Sequence, residues 1–172
     1  MQQLTCTAML GVIILLSGSF KIPSPVAGGE FQLSAPLAVL ICAYFGFKRY
    51  LIAGVIASVL GLLLGTANIL NIMIAMVFRV VAGGLVSIAG ASLPVIAVSG
   101  PLGTLAARLV MGQVLQVNWL VLAAAAVPGM IFTAIAAALL YKPGLALLGK
   151  IPSVRSQMIK RRSVVGHEFI QH

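Results

Sequence analysis

Long apolar runs separated by short polar breaks organise this chain. The runs extend from Leu4 to Phe20, Ala35 to Phe47, Tyr50 to Thr66, Ile69 to about Ile88, Pro94 to about Val117, and Trp119 to Tyr141. A bilayer-spanning helix needs roughly 20 apolar residues, so the pattern predicts an all-α, polytopic membrane bundle of six transmembrane helices. The second run is short. The fifth carries Ser99-Gly100-Pro101, where proline removes a backbone donor and is expected to interrupt the helix. Gly83-Gly84 is expected to loosen the fourth helix and Pro128-Gly129 to kink the sixth.

Composition agrees with the pattern. Hydrophobic residues make up 61% of the chain and charged residues 8%, whereas a soluble domain is roughly 25% charged. A transmembrane domain over residues 1–145 is followed by a basic tail over residues 146–172, which leaves no room for a separate soluble catalytic domain. The first run ends on Ser17-Gly18-Ser19 but lacks the positive n-region of a secretory signal, so it reads as a retained helix.

The basic residues fix an orientation. Lys and Arg concentrate on cytoplasmic loops, and six spans with both termini inside place Lys48, Arg49, Lys142, Lys150, Arg155, Lys160, Arg161 and Arg162 together on the cytoplasmic side. Seven spans would spoil that grouping. The net charge of +9 therefore reflects topology and attraction to the anionic lipid bilayer rather than nucleic-acid binding. Cys6 and Cys42 fall toward the cytoplasmic half, where thiols stay reduced, and neither has metal-ligand spacing.

Small residues mark helix packing. Gly54, Ala57, Ser58, Gly61 and Gly65 recur at helical spacing in the third run, and Thr7 with Gly11 repeats the pattern in the first. Such stripes let membrane helices approach closely, either within the chain or against a partner.

Two arginines stand out by depth. A guanidinium within a membrane is costly and normally faces protein or a watery cavity. Arg79 follows Asn68 by 11 residues and Arg108 precedes Asn118 by 10, so both lie about 15 Å in from one end of the bundle. Residues 1–141 contain one carboxylate, Glu30. It belongs to the long connection KIPSPVAGGEFQLS, residues 21–34, a length typical of lids and binding loops. Glu30, Gln32, Asn68, Asn71, Gln113, Gln116, Asn118 and Trp119 gather at the same outer end, suggesting a cavity lined by amides, one indole and the guanidiniums of Arg79 and Arg108. A carboxylate or phosphate on a bound solute would satisfy the arginines. Alternatively, each arginine braces carbonyls freed at Gly83-Gly84 or around Gly100-Pro101.

Two segments, FQLSAPLAVLICAYFGFKRYLIAGVIASVLGLLLG and NILNIMIAMVFRVVAGG, resemble the substrate-binding S components of energy-coupling factor (ECF) importers. NILN followed by a basic residue is also similar to the tryptophan-transporter-like branch. The resemblance covers about residues 4–145 and implies six helices, a long outer loop and a solute pocket near the outer face. It implies a membrane subunit that captures a vitamin, amino acid or related metabolite, with import driven by a transmembrane T component and two cytoplasmic ATPases. The family's small-residue docking motif would map to Thr7 and Gly11. The chain has no G-x-x-x-x-G-K-[ST] phosphate loop, so ATP hydrolysis is expected in a partner. Both histidines, His167 and His172, lie in the tail, and no enzyme activity, cofactor or metal is expected. The competing reading is an oligomeric anion channel, with Arg79 or Arg108 forming a ring, or a structural membrane-assembly protein.

Overall fold

In the computed structural model, described residues are 2–19, 21–23 and 30–158, with backbone alone described for residues 2, 21–23, 30–32 and 153. Six long helices form in the order of the apolar runs: α1 (Gln2–Ser19), α2 (Ser34–Phe45), α3 (Phe47–Leu63), α4 (Ile69–Ala89), α5 (Leu93–Leu115) and α6 (Trp119–Gly149). A one-turn helix, α7 (Pro152–Arg155), follows. Within the first connection, β1 (Lys21–Pro23) pairs antiparallel with β2 (Glu30–Gln32), with Ile22 opposite Phe31. Residues 24–29 of that connection and residues 159–172 of the tail lie outside the described residues.

Among the described residues, three helices are long and apolar enough to cross a membrane: α4 with 21 residues, α5 with 23 and α6 with 31. At 1.5 Å per residue these extend about 32, 35 and 46 Å, against a hydrocarbon thickness of about 30 Å. The protein is a membrane protein. Its outer surface carries large apolar side chains: Val127, Ile131, Ile135 and Leu139 form an exposed stripe along α6. The buried face of the same helix is small, with Ala123, Ala126, Thr133 and Ala137 inside. Large residues outside and small ones between helices is the arrangement expected where lipid replaces water and close backbone approach drives association.

The interfaces follow from those small residues. A Cβ on Gly11 would meet the Ala53 carbonyl oxygen at 3.1 Å and Ile56 at 3.2 Å, so α1 lies close along α3. Gly83 on α4 faces Phe47 and Tyr50, and Gly103 on α5 faces Phe78 and Ala82. Gly46 separates α2 from α3 at φ 89° and ψ 161°, a conformation that costs a side-chain-bearing residue and suits glycine. It turns the chain through a tight corner after only 12 residues of α2.

The expected interruption of the fifth helix does not occur: α5 runs unbroken from Leu93 to Leu115 with Pro101 inside it. Side chains reinforce the stretch around the lost donor. Ser99 Oγ donates to Ile96 O at 3.2 Å and Thr104 Oγ1 to Gly100 O at 3.1 Å, while Gly100 is pressed against Thr133 of α6. The helix is thus held from its neighbour as well as by its own ladder. The sixth helix likewise continues past Tyr141, through Pro143, to Gly149.

Candidate functional site

Arg79 is seated in a groove on α3. Its residue surface is 6% exposed, and Nη1 donates to Ser58 Oγ at 2.7 Å and to Met76 Sδ at 3.4 Å. One turn back along α3, a Cβ on Gly54 would stand 2.6 Å from Cδ and Nε and 3.0 Å from Cζ of the arginine. Gly54 and Ser58 are four residues apart and therefore share a face: the glycine opens the space and the serine receives the charge. Tyr50, a further turn back, is 1% exposed, and its hydroxyl is fully enclosed without a hydrogen-bond partner among the described residues.

The helix faces explain this direction. Phe78 and Ala82 meet Gly103 of α5, whereas Arg79, about 100° further round α4, turns to α3. The arginine does not brace Gly83-Gly84 or Gly100-Pro101; its hydrogen bonds go to Ser58 and Met76. Arg108 is half-buried on α5 and donates to Met111 Sδ at 3.6 Å. Because Gly103 lies level with Ala82 on the antiparallel neighbour, Arg108 and Arg79 differ in height by about two residues, roughly 3 Å. They are therefore near one level, with Arg79 committed to α3.

The amides expected at the outer end hold helix termini. Asn68 is the N-cap of α4, its Oδ1 accepting from Asn71 N at 2.8 Å, and Asn118 caps α6, accepting from Leu120 N at 3.0 Å. Asparagine suits both positions because its oxygen satisfies one of the orphan amides of a first turn. Gln116 ends α5 in the left-handed region at φ 55°, and its Nε2 donates to Gln113 O at 2.9 Å. Asn71 and Gln113 are exposed. Trp119 is 39% exposed, with its Cβ against Gly112. Of Glu30 and Gln32, the backbone lies in β2, which approaches α6; their side chains are outside the described atoms. On α1, Thr7 is buried and donates to Gln3 O at 2.8 Å, while Gly11 is used against α3.

One relative is informative. It is the protein named "Protein BioX" from Lysinibacillus sphaericus, 48% identical over 128 residues, covering 74% of this chain and 77% of the relative. The chain belongs to the BioX family. No protein-family model matches it, and no solved structure matches it.

In this BioX-family chain, the seat of the arginine was hidden inside a signal of another kind. Gly54 and Ser58 belong to the small-residue stripe of α3, whose plain meaning is close helix contact. Contact is indeed made there, but what approaches Gly54 is a guanidinium. The distinguishing sign was the hydroxyl within the stripe, since serine supplies an acceptor that alanine does not. Among the described residues no group of three or more His, Cys, Asp or Glu could hold a metal ion.

Proposed function

We propose that this BioX-family protein is the solute-binding S component of an ECF-type importer in the cell membrane. Six spans with both termini in the cytoplasm present the outer connection and the Asn68/Asn118 end to the exterior. The solute is a carboxylic acid related to biotin; the relative's name favours this over a tryptophan-like solute. A transmembrane T component and two ATPases would supply the energy, and the chain itself would bind without catalysis.

Arg79 carries this reading. It is buried with neutral partners, and the sequence outside the tail offers one acid, Glu30. A buried cation is stabilised by a bound anion, and a carboxylate would engage the guanidinium through paired hydrogen bonds.

The test is equilibrium binding of biotin and of straight-chain carboxylic acids to the full chain reconstituted in nanodiscs. One solute should bind per chain, and Arg79→Gln should weaken it at least tenfold, in line with a charge-assisted hydrogen bond of about 1.5–3 kcal/mol. Equal binding by the variant would remove Arg79 from the site. Ion conductance by the purified chain alone would replace the importer with a channel.

A further inference from the structure

At the end of the bundle opposite Asn68 and Asn118, the α2–α3 corner, the last turn of α4 and residues 157–158 line an open groove of about 480 Å³, within the roughly 300–1,000 Å³ of small-ligand sites. Gly46, Lys48, Arg49, Ser87 and Gln157 supply its polar wall, and Phe47 and Met158 part of its apolar wall. Arg49 Nη1 donates to the carbonyl oxygen of Gln157, fastening the segment after α7 over the corner. The groove therefore holds two cations on adjacent residues. Glu30 lies beyond the far end of α1, which runs beside α3 from Gly11 at Ala53 to Leu15 at Gly61.

Two further features make this more than a basic patch. The N-cap of α3, Gly46, provides no side-chain cap, and the first ladder bond of the helix is Tyr50 N to Gly46 O. The amides of Phe47, Lys48 and Arg49 precede that bond, and such first-turn N–H groups attract anions. Ser87 adds an exposed hydroxyl from α4.

We infer that the groove is a phosphate site at the membrane boundary, taking a phospholipid headgroup. The phosphodiester lies between Lys48, Arg49 and the first turn of α3. The lipid is the source because Ile88, beside Ser87, is 89% exposed and Ile52 and Val55 of α3 are also exposed, so an apolar flank leads directly to the groove. Clusters of basic residues at a membrane boundary attract anionic lipid by about 1 kcal/mol per cation. The inference is independent of the transported solute and of which way the protein faces.

Native mass spectrometry of the full chain in mild detergent, with lipids of defined composition added, tests it. One phosphatidylglycerol or phosphatidylethanolamine should be retained per chain, whereas diacylglycerol, which lacks phosphate, should not. Lys48→Gln and Ser87→Asp, both at exposed positions, should each lower retention by about fivefold or more. Millimolar inorganic phosphate should leave the lipid in place; displacement by it would overturn the lipid source in favour of free phosphate. Equal retention of diacylglycerol and phosphatidylglycerol, or equal retention by the wild type and both charge variants, would overturn the phosphate site itself.

Discussion

Arg79 of α4 fills the space that a side chain on Gly54 of α3 would need, with Cδ and Nε both 2.6 Å from the position of a Cβ there. Gly54→Ala should therefore displace the arginine rather than merely tighten the interface. Overpacking of this kind is unfavourable by about 1–3 kcal/mol, and loss of the seat adds the exposure of Nη1 from Ser58. Unfolding in detergent by heat or denaturant should show the loss, and the double variant with Arg79→Ala should be less destabilised than the sum of the singles. Strict additivity would mean the two residues do not share that volume.

Ser58→Ala removes the oxygen that accepts from Arg79 at 2.7 Å. Hydrogen bonds to charged groups contribute about 1.5–3 kcal/mol in soluble proteins, but between membrane helices the measured average is about 0.6. A loss between about 0.6 and 2 kcal/mol is expected, with Ser58→Thr milder than Ser58→Ala because the acceptor survives. An alanine variant as stable as the wild type would mean that Met76 alone can hold the guanidinium.

The architecture was legible wherever apolar run length decided it. The break around Gly90 to Ser92 falls where the runs placed it, but two boundaries moved: Gly46 rather than Lys48-Arg49 makes the corner, with both cations in the first turn of α3, and Gly65, counted in the helical stripe, lies past the end of α3 at φ 69°. The fifth helix was misread because Pro101 was weighed alone. Beside that proline, Gly100 packs directly against Thr133, a residue more than thirty positions away whose proximity no local pattern reveals. Arg79 was legible as an anomaly of depth, but its partner was not. An arginine can reach in any direction around its helix, and only the registration of α3 against α4 selects Gly54 and Ser58. Asn68 and Asn118 were legible as polar residues at one end of the bundle, and their capping role follows from the helix starts beside them.

Tyr44 and Tyr141 hold α2, α6 and the α4–α5 turn together. Their rings stack with centroids 5.9 Å apart at an angle of 6°. Tyr44 Oη donates to Tyr141 O at 2.8 Å, and Tyr141 Oη donates to Ala91 O at 2.7 Å. Tyr141→Phe keeps the stack and loses the bond to the turn, so a stability loss of about 1 kcal/mol is expected. Gly144→Ala should be worse, because its new methyl group would collide with the Tyr44 hydroxyl. Thermal unfolding of the two variants side by side checks the order; if the phenylalanine variant proves the less stable, the turn contact matters more than the packing.

The six-span orientation is open to chemical labelling. From Trp119 to Tyr141, α6 rises about 33 Å, close to the hydrocarbon thickness of about 30 Å, and Lys142 follows immediately. Lys48 lies beside Ser87 and the segment around Gln157, at the same end as Lys142, because Tyr141 reaches Ala91 just beyond α4. Asn118 caps the other end. In a background of Cys6→Ser and Cys42→Ala, a membrane-impermeant maleimide applied to intact cells should label Asn118→Cys and spare Lys48→Cys. Permeabilised cells should give both. Labelling of Lys48→Cys alone from outside would invert the orientation and place the basic end in the exterior, against the usual preference of Lys and Arg for the cytoplasmic side. Labelling of both from outside would put the two ends of α6 on one side of the bilayer, which a helix of this length and composition cannot satisfy while spanning it, and the six-span arrangement would then fail.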